Sequence, residues 1–115
     1  MFLSPNRWMH LRSSGKARLA KRRRRLYLEQ DGLCFYCQEA MTFHSRMRDP
    51  QGRRVTTDHL IPLSQGGRYR YSNEVAACYT CNHTRGDADW WTFYQAKAIE
   101  RGEVALIRPR IGIND

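Results

Sequence analysis

Apolar residues along this chain come in short groups, and each group predicts a short secondary-structure element. No stretch reaches the about 18 consecutive apolar residues that a membrane span requires. Residues 16–31 contain good helix formers without Gly or Pro, carry a thin apolar stripe at Leu19 and Leu26, and are followed by Gly32. This pattern predicts a helix over 16–31 whose other faces are basic.

The middle of the chain has the pattern of extended structure. Residues 41–60 contain two extended runs around the turn signal Asp-Pro-Gln-Gly at 49–52, which predicts a β-hairpin with its second strand at about 54–60. A further short strand is expected at 73–77. After it, one helix is expected to begin near Tyr79 and end around Gly86. A last helix over residues 90–100 follows a possible N-cap at 87–89.

The charge of the chain is concentrated near its N-terminal end. The 115 residues include 20 Lys or Arg against 11 acidic residues, a net charge of +9, and residues 1–33 hold nine of the basic side chains. Such a balance favours a polyanionic partner, most commonly nucleic acid. The length is that of one domain. We therefore expect a mobile lead-in at 1–15, one domain at 16–102 that includes the basic helix, and a C-terminal tail at 103–115.

The start of the chain lacks the continuous apolar stretch and the small-residue cleavage site of a secretory signal. We therefore expect a cytoplasmic protein with no membrane partner. In that compartment cysteines stay reduced.

The cysteines form two pairs, each with two intervening residues: Cys34, Cys37, Cys78 and Cys81. Two such pairs can complete a closed four-sulfur Zn²⁺ site. Two disulfides or two redox-active pairs are the alternatives, and the expected compartment and the short chain disfavour them. A closed zinc site is structural, and it would stabilise a chain with a small apolar core by on the order of 10 kcal/mol.

Polar residues between the two cysteine pairs predict a reactive site. Asp58 and His59 lie near the end of the predicted second strand, and Asn73 and Asn82 follow. Adjacent strand residues point to opposite faces, so Asp58 and His59 can share a site only if the strand bends or ends there, which Pro62 favours. Carboxylate and amide oxygens suit Mg²⁺ or Mn²⁺, and imidazole is the natural base near neutral pH. The alternative is a strand-ending pair that only hydrogen-bonds the loop.

The order and spacing of these elements resemble the HNH endonucleases, in particular the small zinc-stapled members found in bacteria and their phages. The shared pattern is Cys-x2-Cys, Asp-His-x2-Pro-x3-Gly-Gly, Asn, and Cys-x2-Cys-Asn-x2-Arg-Gly-Asp, over about residues 26–90. The resemblance implies an α+β fold, namely a zinc-stapled ββα-metal domain with a basic N-terminal helix and a C-terminal helix.

The resemblance also implies a role for each site residue. His59 is similar to the general base that activates water, and Asp58 and Asn82 are similar to the ligands of a catalytic divalent metal. Because position 82 is Asn and not His, that ion is expected to be Mg²⁺ or Mn²⁺. Asn73 matches the asparagine that steadies the loop by bonding to its backbone, and Arg85 stands where a basic residue can touch phosphate.

The implied reaction is hydrolysis of a DNA phosphodiester to 5′-phosphate and 3′-hydroxyl ends. One site cuts one strand, so double-strand cleavage needs two visits or a homodimer, and a phage or host DNA-processing protein is another possible partner. The alternative is a zinc-stapled DNA-binding accessory protein without catalysis. The basic cluster would neutralise phosphates unless it is only a solvated helix face or a localisation signal. Its members are Lys21, Arg22, Arg23, Arg24 and Arg25.

Overall fold

The computed structural model describes residues 15–43, 48–68, 71–103 and 108–109. Its helices and strands follow in the order α1 (Gly15–Glu29), β1 (Val55–His59), β2 (Glu74–Cys78), α2 (Tyr79–Arg85) and α3 (Trp90–Glu100), with 3₁₀ turns at Leu63–Gln65 and Tyr71–Asn73. The fold class is α+β, as the sequence predicts. Most of the expected lead-in at 1–15 and of the expected tail at 103–115 lies outside the described residues.

The sheet consists of two antiparallel strands, β1 and β2, in which His59 lies opposite Glu74. The sequence did not predict this pairing of β1 with β2. The run that precedes the turn at 49–52 is described only up to residue 43 and again from residue 48. Its Thr42 makes an isolated parallel bridge with Arg54 and accepts from the N–H of Val55 at 2.8 Å. Every residue of β2 is buried, so pairing β2 with β1 satisfies backbone groups that water cannot reach.

The two faces of the sheet are covered by different helices. The register places Val55, Thr57 and His59 on one face and Thr56 and Asp58 on the other. Helix α1 reaches the His59 face, and α2 lies along the Asp58 face, as the side-chain contacts described below show. The positions of these two helices therefore decide the surroundings of each residue of β1.

Helix α1 ends at Glu29, two residues before the end that the sequence predicts. Asp31 and Gly32 have φ values of 55° and 74°, and a left-handed backbone cannot continue an α-helix. The side chain of Gln30 donates to the carbonyl of Ala76 at 2.9 Å and accepts from its N–H at 2.8 Å. These two bonds attach the C-terminal end of α1 to the centre of β2.

The core is small and is built mainly from aromatic residues, short aliphatic residues and cysteines. Tyr36 and Leu60 are among its largest fully buried side chains, and Trp90 of α3 is buried against them. The sequence predicts α3 with the observed bounds, and its N-cap is Asp89, whose side chain accepts from the N–H of Thr92 at 3.0 Å. Among the described helices, none is long and apolar enough to cross a bilayer.

Candidate functional site

The two cysteine pairs meet in the interior, where all four thiols are buried and unbridged. Their Sγ atoms lie within 4.8 Å of one another. Tetrahedral zinc with Zn–S distances of about 2.3 Å holds its sulfurs about 3.8 Å apart. The cluster of Cys34, Cys37, Cys78 and Cys81 thus has the donor set and the approximate size of a closed structural zinc site, as the spacing predicts.

Hydrogen-bond donors surround the sulfurs of this cysteine cluster. The N–H of Cys78 donates to Cys34 Sγ at 3.3 Å, and the N–H of Cys81 donates to Cys78 Sγ at 3.4 Å. Arg53 Nη1 lies 3.5 Å from Cys37 Sγ and 3.3 Å from Cys78 Sγ. Hydrogen bonds with the thiols of Cys34 and Cys81 lower the pKa of Cys78 to about 3, and hydrogen bonds with Cys34 and Cys78 raise the pKa of Cys81. Cys78 is therefore the thiolate of this pair, and Zn²⁺ would have to displace the proton of Cys81 on binding.

The loop between β1 and β2 is held by the side chain of Asn73. Its Oδ1 accepts from the N–H of Ile61 at 2.8 Å, and its Nδ2 donates to the carbonyls of Ile61 and Arg68 at 3.1 and 3.0 Å. The same loop passes so close to itself that a Cβ at Gly67 would lie 1.7 Å from the carbonyl oxygen of Ile61. The contacts of Asn73 are of the kind that the family resemblance implies, and they restrain the loop just beyond His59.

The carboxylate of Asp58 lies in a closed polar network on the α2 face of the sheet. Arg85 Nη1 donates to its two oxygens at 2.9 and 2.8 Å, and the hydroxyl of Tyr36 donates to Oδ2. Burial raises the pKa of Asp58, and the bonds from Tyr36 and Arg85 offset this only in part. The guanidinium also donates to the backbone carbonyls of His59, Leu60 and Ala88.

This network gives Arg85 a role different from the expected phosphate contact. Arg85 is only 3% exposed, and all three of its guanidinium nitrogens donate to protein oxygens. A phosphate in solvent therefore does not reach it in this structure. Arg85 instead joins α2 to β1.

Asp58 and Asn82 do not fit the expected divalent-metal site in this geometry. Asp58 is 5% exposed, both its oxygens are bonded by the protein, and the positive charge of Arg85 opposes a second cation at the same carboxylate. Asn82 lies beside the same strand, where its Nδ2 donates to Thr56 Oγ1 at 3.0 Å. The structure thus places both residues along one face of β1. The carboxylate of Asp58, however, has no oxygen available to bind a metal ion there.

His59 lies on the opposite face of β1 and borders a groove. Its Nε2 is 3.2 Å from Glu74 Oε2, and Arg22 Nη2 lies 2.5 Å from the same oxygen. The side chain of His59 is 20% exposed. The groove has a volume of about 540 Å³ and is lined by His59 together with Arg23 and Arg54. An imidazole that solvent reaches and two arginines thus border one cavity.

The basic cluster of α1 is divided between solvent and the sheet. Lys21, Arg24 and Arg25 are exposed, whereas Arg22 and Arg23 are half-buried. Consecutive residues point in different directions around a helix, so the cluster cannot present all of its charges to one partner. Its exposed members face solvent, Arg25 in an ion pair with Glu29 at 3.1 Å, and Arg22 faces Glu74.

The sequence model of the HNH endonuclease family matches residues 34–88. The matched segment contains both cysteine pairs, β1, β2 and α2. Because of this similarity we call residues 34–88 the HNH domain. The match supports a nuclease in general, and the cysteine cluster of the domain is consistent with structural zinc. Among proteins of curated function, none matches the chain.

Two buried polar residues of the HNH domain were missed by sequence reasoning. Tyr36 lies inside the first cysteine pair, where no sequence signal distinguishes a hydrogen-bonding tyrosine from a packing one. Glu74 did leave a signal, because it is the single acidic residue in the otherwise apolar run Glu-Val-Ala-Ala-Cys of β2. An acid in a fully buried strand needs a partner, and the structure supplies His59 and Arg22.

Proposed function

We propose that this chain is a DNA endonuclease in which His59 is the general base. The observation that carries the proposal is the groove between α1 and β1, where His59 lies beside Arg23 and Arg54 in a chain whose HNH domain is similar to a nuclease family. A phosphodiester in this groove meets positive charge and a proton acceptor at the same place. General-base catalysis needs that proximity.

In the proposed reaction His59 takes a proton from water while the water oxygen attacks phosphorus. The new P–O bond forms as the bond from phosphorus to the 3′ oxygen breaks, and the 3′ oxygen takes a proton from solvent. The products are a 5′-phosphate and a 3′-hydroxyl. Arg23 supplies positive charge near the phosphoryl oxygens as negative charge develops there. Arg54, whose Nη1 is paired with Asp49 at 3.1 Å, offers its remaining N–H groups to the same oxygens.

DNA is the proposed substrate because the chain is strongly basic and because its nuclease family resemblance implies DNA. The exposed charges of α1, at Lys21, Arg24 and Arg25, extend the positive surface of the chain. Contacts of this kind hold the backbone and carry no sequence information. We therefore propose nicking of one strand per visit, with low sequence specificity.

Dependence on Mg²⁺ or Mn²⁺ is a separate prediction, made from the family resemblance. Because Asp58 and Asn82 do not fit such an ion in this structure, the proposed step uses only His59 and the groove arginines. A cation requirement is tested directly by comparing Mg²⁺, Mn²⁺ and EDTA in the assay below.

The test is conversion of supercoiled plasmid to open circles by purified protein. We expect His59→Ala to lower the nicking rate by about 10²- to 10⁴-fold, the usual contribution of a general base. His83→Ala is the matched control, because His83 is exposed on α2 and stacks on Tyr79 with ring centroids 5.4 Å apart. This control should nick like the unsubstituted protein.

Nicking by His59→Ala at the unsubstituted rate would overturn the assignment of His59. DNA binding without nicking under all three cation conditions would support the accessory-protein alternative instead. An RNA duplex of the same sequence as a DNA duplex forms the last arm, and equal or faster cleavage of RNA would contradict DNA as the preferred substrate.

A further inference from the structure

Strand β2 contains a carboxylate that its surroundings do not favour. The side chain of Glu74 is 0% exposed, and the four residues that follow it in β2 are apolar and buried. Its Oε1 has no hydrogen-bond partner among the described residues. A buried carboxylate with an unsatisfied oxygen is costly, so an apolar side chain would suit the strand better.

The contacts of Glu74 explain the presence of this acid in β2. Its Oε2 lies 3.2 Å from Nε2 of His59, the residue directly opposite on β1. Arg22 of α1 approaches the same oxygen at 2.5 Å. One oxygen thus joins a strand residue to the basic helix. Residues directly opposite on an antiparallel pair are held close by the backbone itself, so the carboxylate has little freedom to leave the imidazole.

We propose that Glu74 is the positioning residue for His59 and that Arg22 holds Glu74 in place. This inference rests on the proposed function of His59 as general base. A neutral imidazole has one N–H and one acceptor nitrogen, and the partner of the first decides which nitrogen is which. The carboxylate of Glu74 lies 3.2 Å from Nε2, at an angle outside that of a hydrogen bond. Its negative charge there favours the tautomer in which Nε2 carries the hydrogen. Nδ1 is then the nitrogen that takes the proton from water.

The burial of the nitrogen supports this assignment. Nε2 of His59 is inaccessible to solvent, whereas the side chain as a whole is 20% exposed. Water therefore approaches the ring away from Nε2. Helix α1 then has two roles. Its exposed side chains face solvent, and its Arg22 holds Glu74 against His59.

The first test replaces Glu74 and measures kcat and KM for plasmid nicking together with the melting temperature. We expect Glu74→Met to lower kcat by about 10- to 100-fold, a part of what a general base contributes, with KM nearly unchanged. Glu74→Gln keeps an acceptor oxygen, so its kcat should lie between that of Glu74→Met and that of the unsubstituted protein. The melting temperature should change little, because Arg22, the partner left behind, is 24% exposed and water can solvate its charge, so that no charge is left buried without a partner. Glu100→Met, at an exposed carboxylate of α3, is the control and should change neither quantity.

A purely structural role for Glu74 predicts the reverse result, namely a lower melting temperature with an unchanged kcat for the folded protein. That result would overturn the proposal. A second check uses the His59→Ala background, in which Glu74→Met should cause no further loss. An additional loss of the same size there would show that Glu74 does not act through His59.

A spectroscopic readout separates failure of this inference from failure of the proposed function. Two-bond ¹H–¹⁵N correlations of the imidazole report its tautomer, and His59→Ala identifies the signal. We expect Nε2–H in the unsubstituted protein and a mixture of tautomers in Glu74→Met. An unchanged tautomer would overturn the positioning role, whether or not the protein nicks DNA. The expected tautomer in a protein without nuclease activity would instead refute the proposed function alone.

Discussion

Asp58 and His59 are neighbours in the chain, yet the two faces of β1 give them opposite environments. The carboxylate of Asp58 is closed in by Arg85 and Tyr36. The imidazole of His59 lies against Glu74 and borders a groove open to solvent. Alternation along the strand separates the two side chains, and the helix that covers each face decides the rest.

The difference shows that two adjacent polar residues need not serve one site. The Asp58 network has its acid, its cation and its hydroxyl donor within the protein, so it is suited to holding α2 against the sheet. The His59 face is incomplete by comparison, because one side of the groove remains open. The bonded groups around Asp58 therefore stabilise the fold, whereas the imidazole of His59 can still be reached by a substrate in the groove.

The largest expected effect comes from a substitution that disrupts both faces of the sheet, at Cys78. Cys78 ends β2, and its Sγ accepts from the N–H of Cys81 at the start of α2. Cys78→Ser should unfold the protein or release its zinc, because structural zinc contributes on the order of 10 kcal/mol and a domain has only about 5–15 kcal/mol in total. Metal content by mass spectrometry and a thermal melt, with and without chelator, measure this. A melt identical to that of the unsubstituted protein would contradict a structural metal.

The next largest effect is a difference in unfolding free energy between a substitution on the Asp58 face and one on the His59 face. Arg85→Met leaves Asp58 buried and unpaired, which should lower the free energy of unfolding by about 3–5 kcal/mol. His59→Ala, at a partly exposed residue, should change it by within about 1 kcal/mol. Urea unfolding measures both variants.

The control for Arg85→Met is the double variant Asp58→Asn/Arg85→Met, which removes the stranded charge. It should recover part of the lost stability. Similar losses in Arg85→Met and His59→Ala would remove the contrast between a structural face and a reactive one.

The smallest effect is a pH dependence of the closed face. Because burial raises the pKa of Asp58, the folded state binds its proton more tightly than the unfolded state does. The contribution of this group to stability is complete below the ordinary value of 3.8 and is lost as pH rises through the folded pKa. The difference in unfolding free energy between the unsubstituted protein and Asp58→Asn should therefore vary with pH in that window. A difference in unfolding free energy that stays constant with pH would show that the pKa of Asp58 is not raised in the folded protein.

Local signals in the sequence were enough for part of the fold. The bounds of α3 and the end of α2 follow from an N-cap and from Gly86, which act over a few residues. The Cys-x2-Cys spacing predicted that the two cysteine pairs meet, because each pair offers two ligands to one ion. The pairing of β1 with β2 was not predicted, because the turn at 49–52 is a local signal whereas the choice of β2 depends on burial. The loop contacts of Asn73 came from the family resemblance.

The sequence alone determined the chemistry that this chain has available: four thiols in two pairs, one Asp-His pair on a strand, and a strongly basic helix. It did not determine that Asp58 and His59 face opposite ways, because Pro62 favours an end of the strand there, whereas the structure keeps both residues within β1. Only the tertiary structure decided which face α2 closes and which face α1 leaves open. It alone placed Arg85 in the interior and brought Glu74 and Arg22 to His59. Such contacts join residues 15 to 52 positions apart, and their energies depend on burial, which no short stretch of sequence encodes.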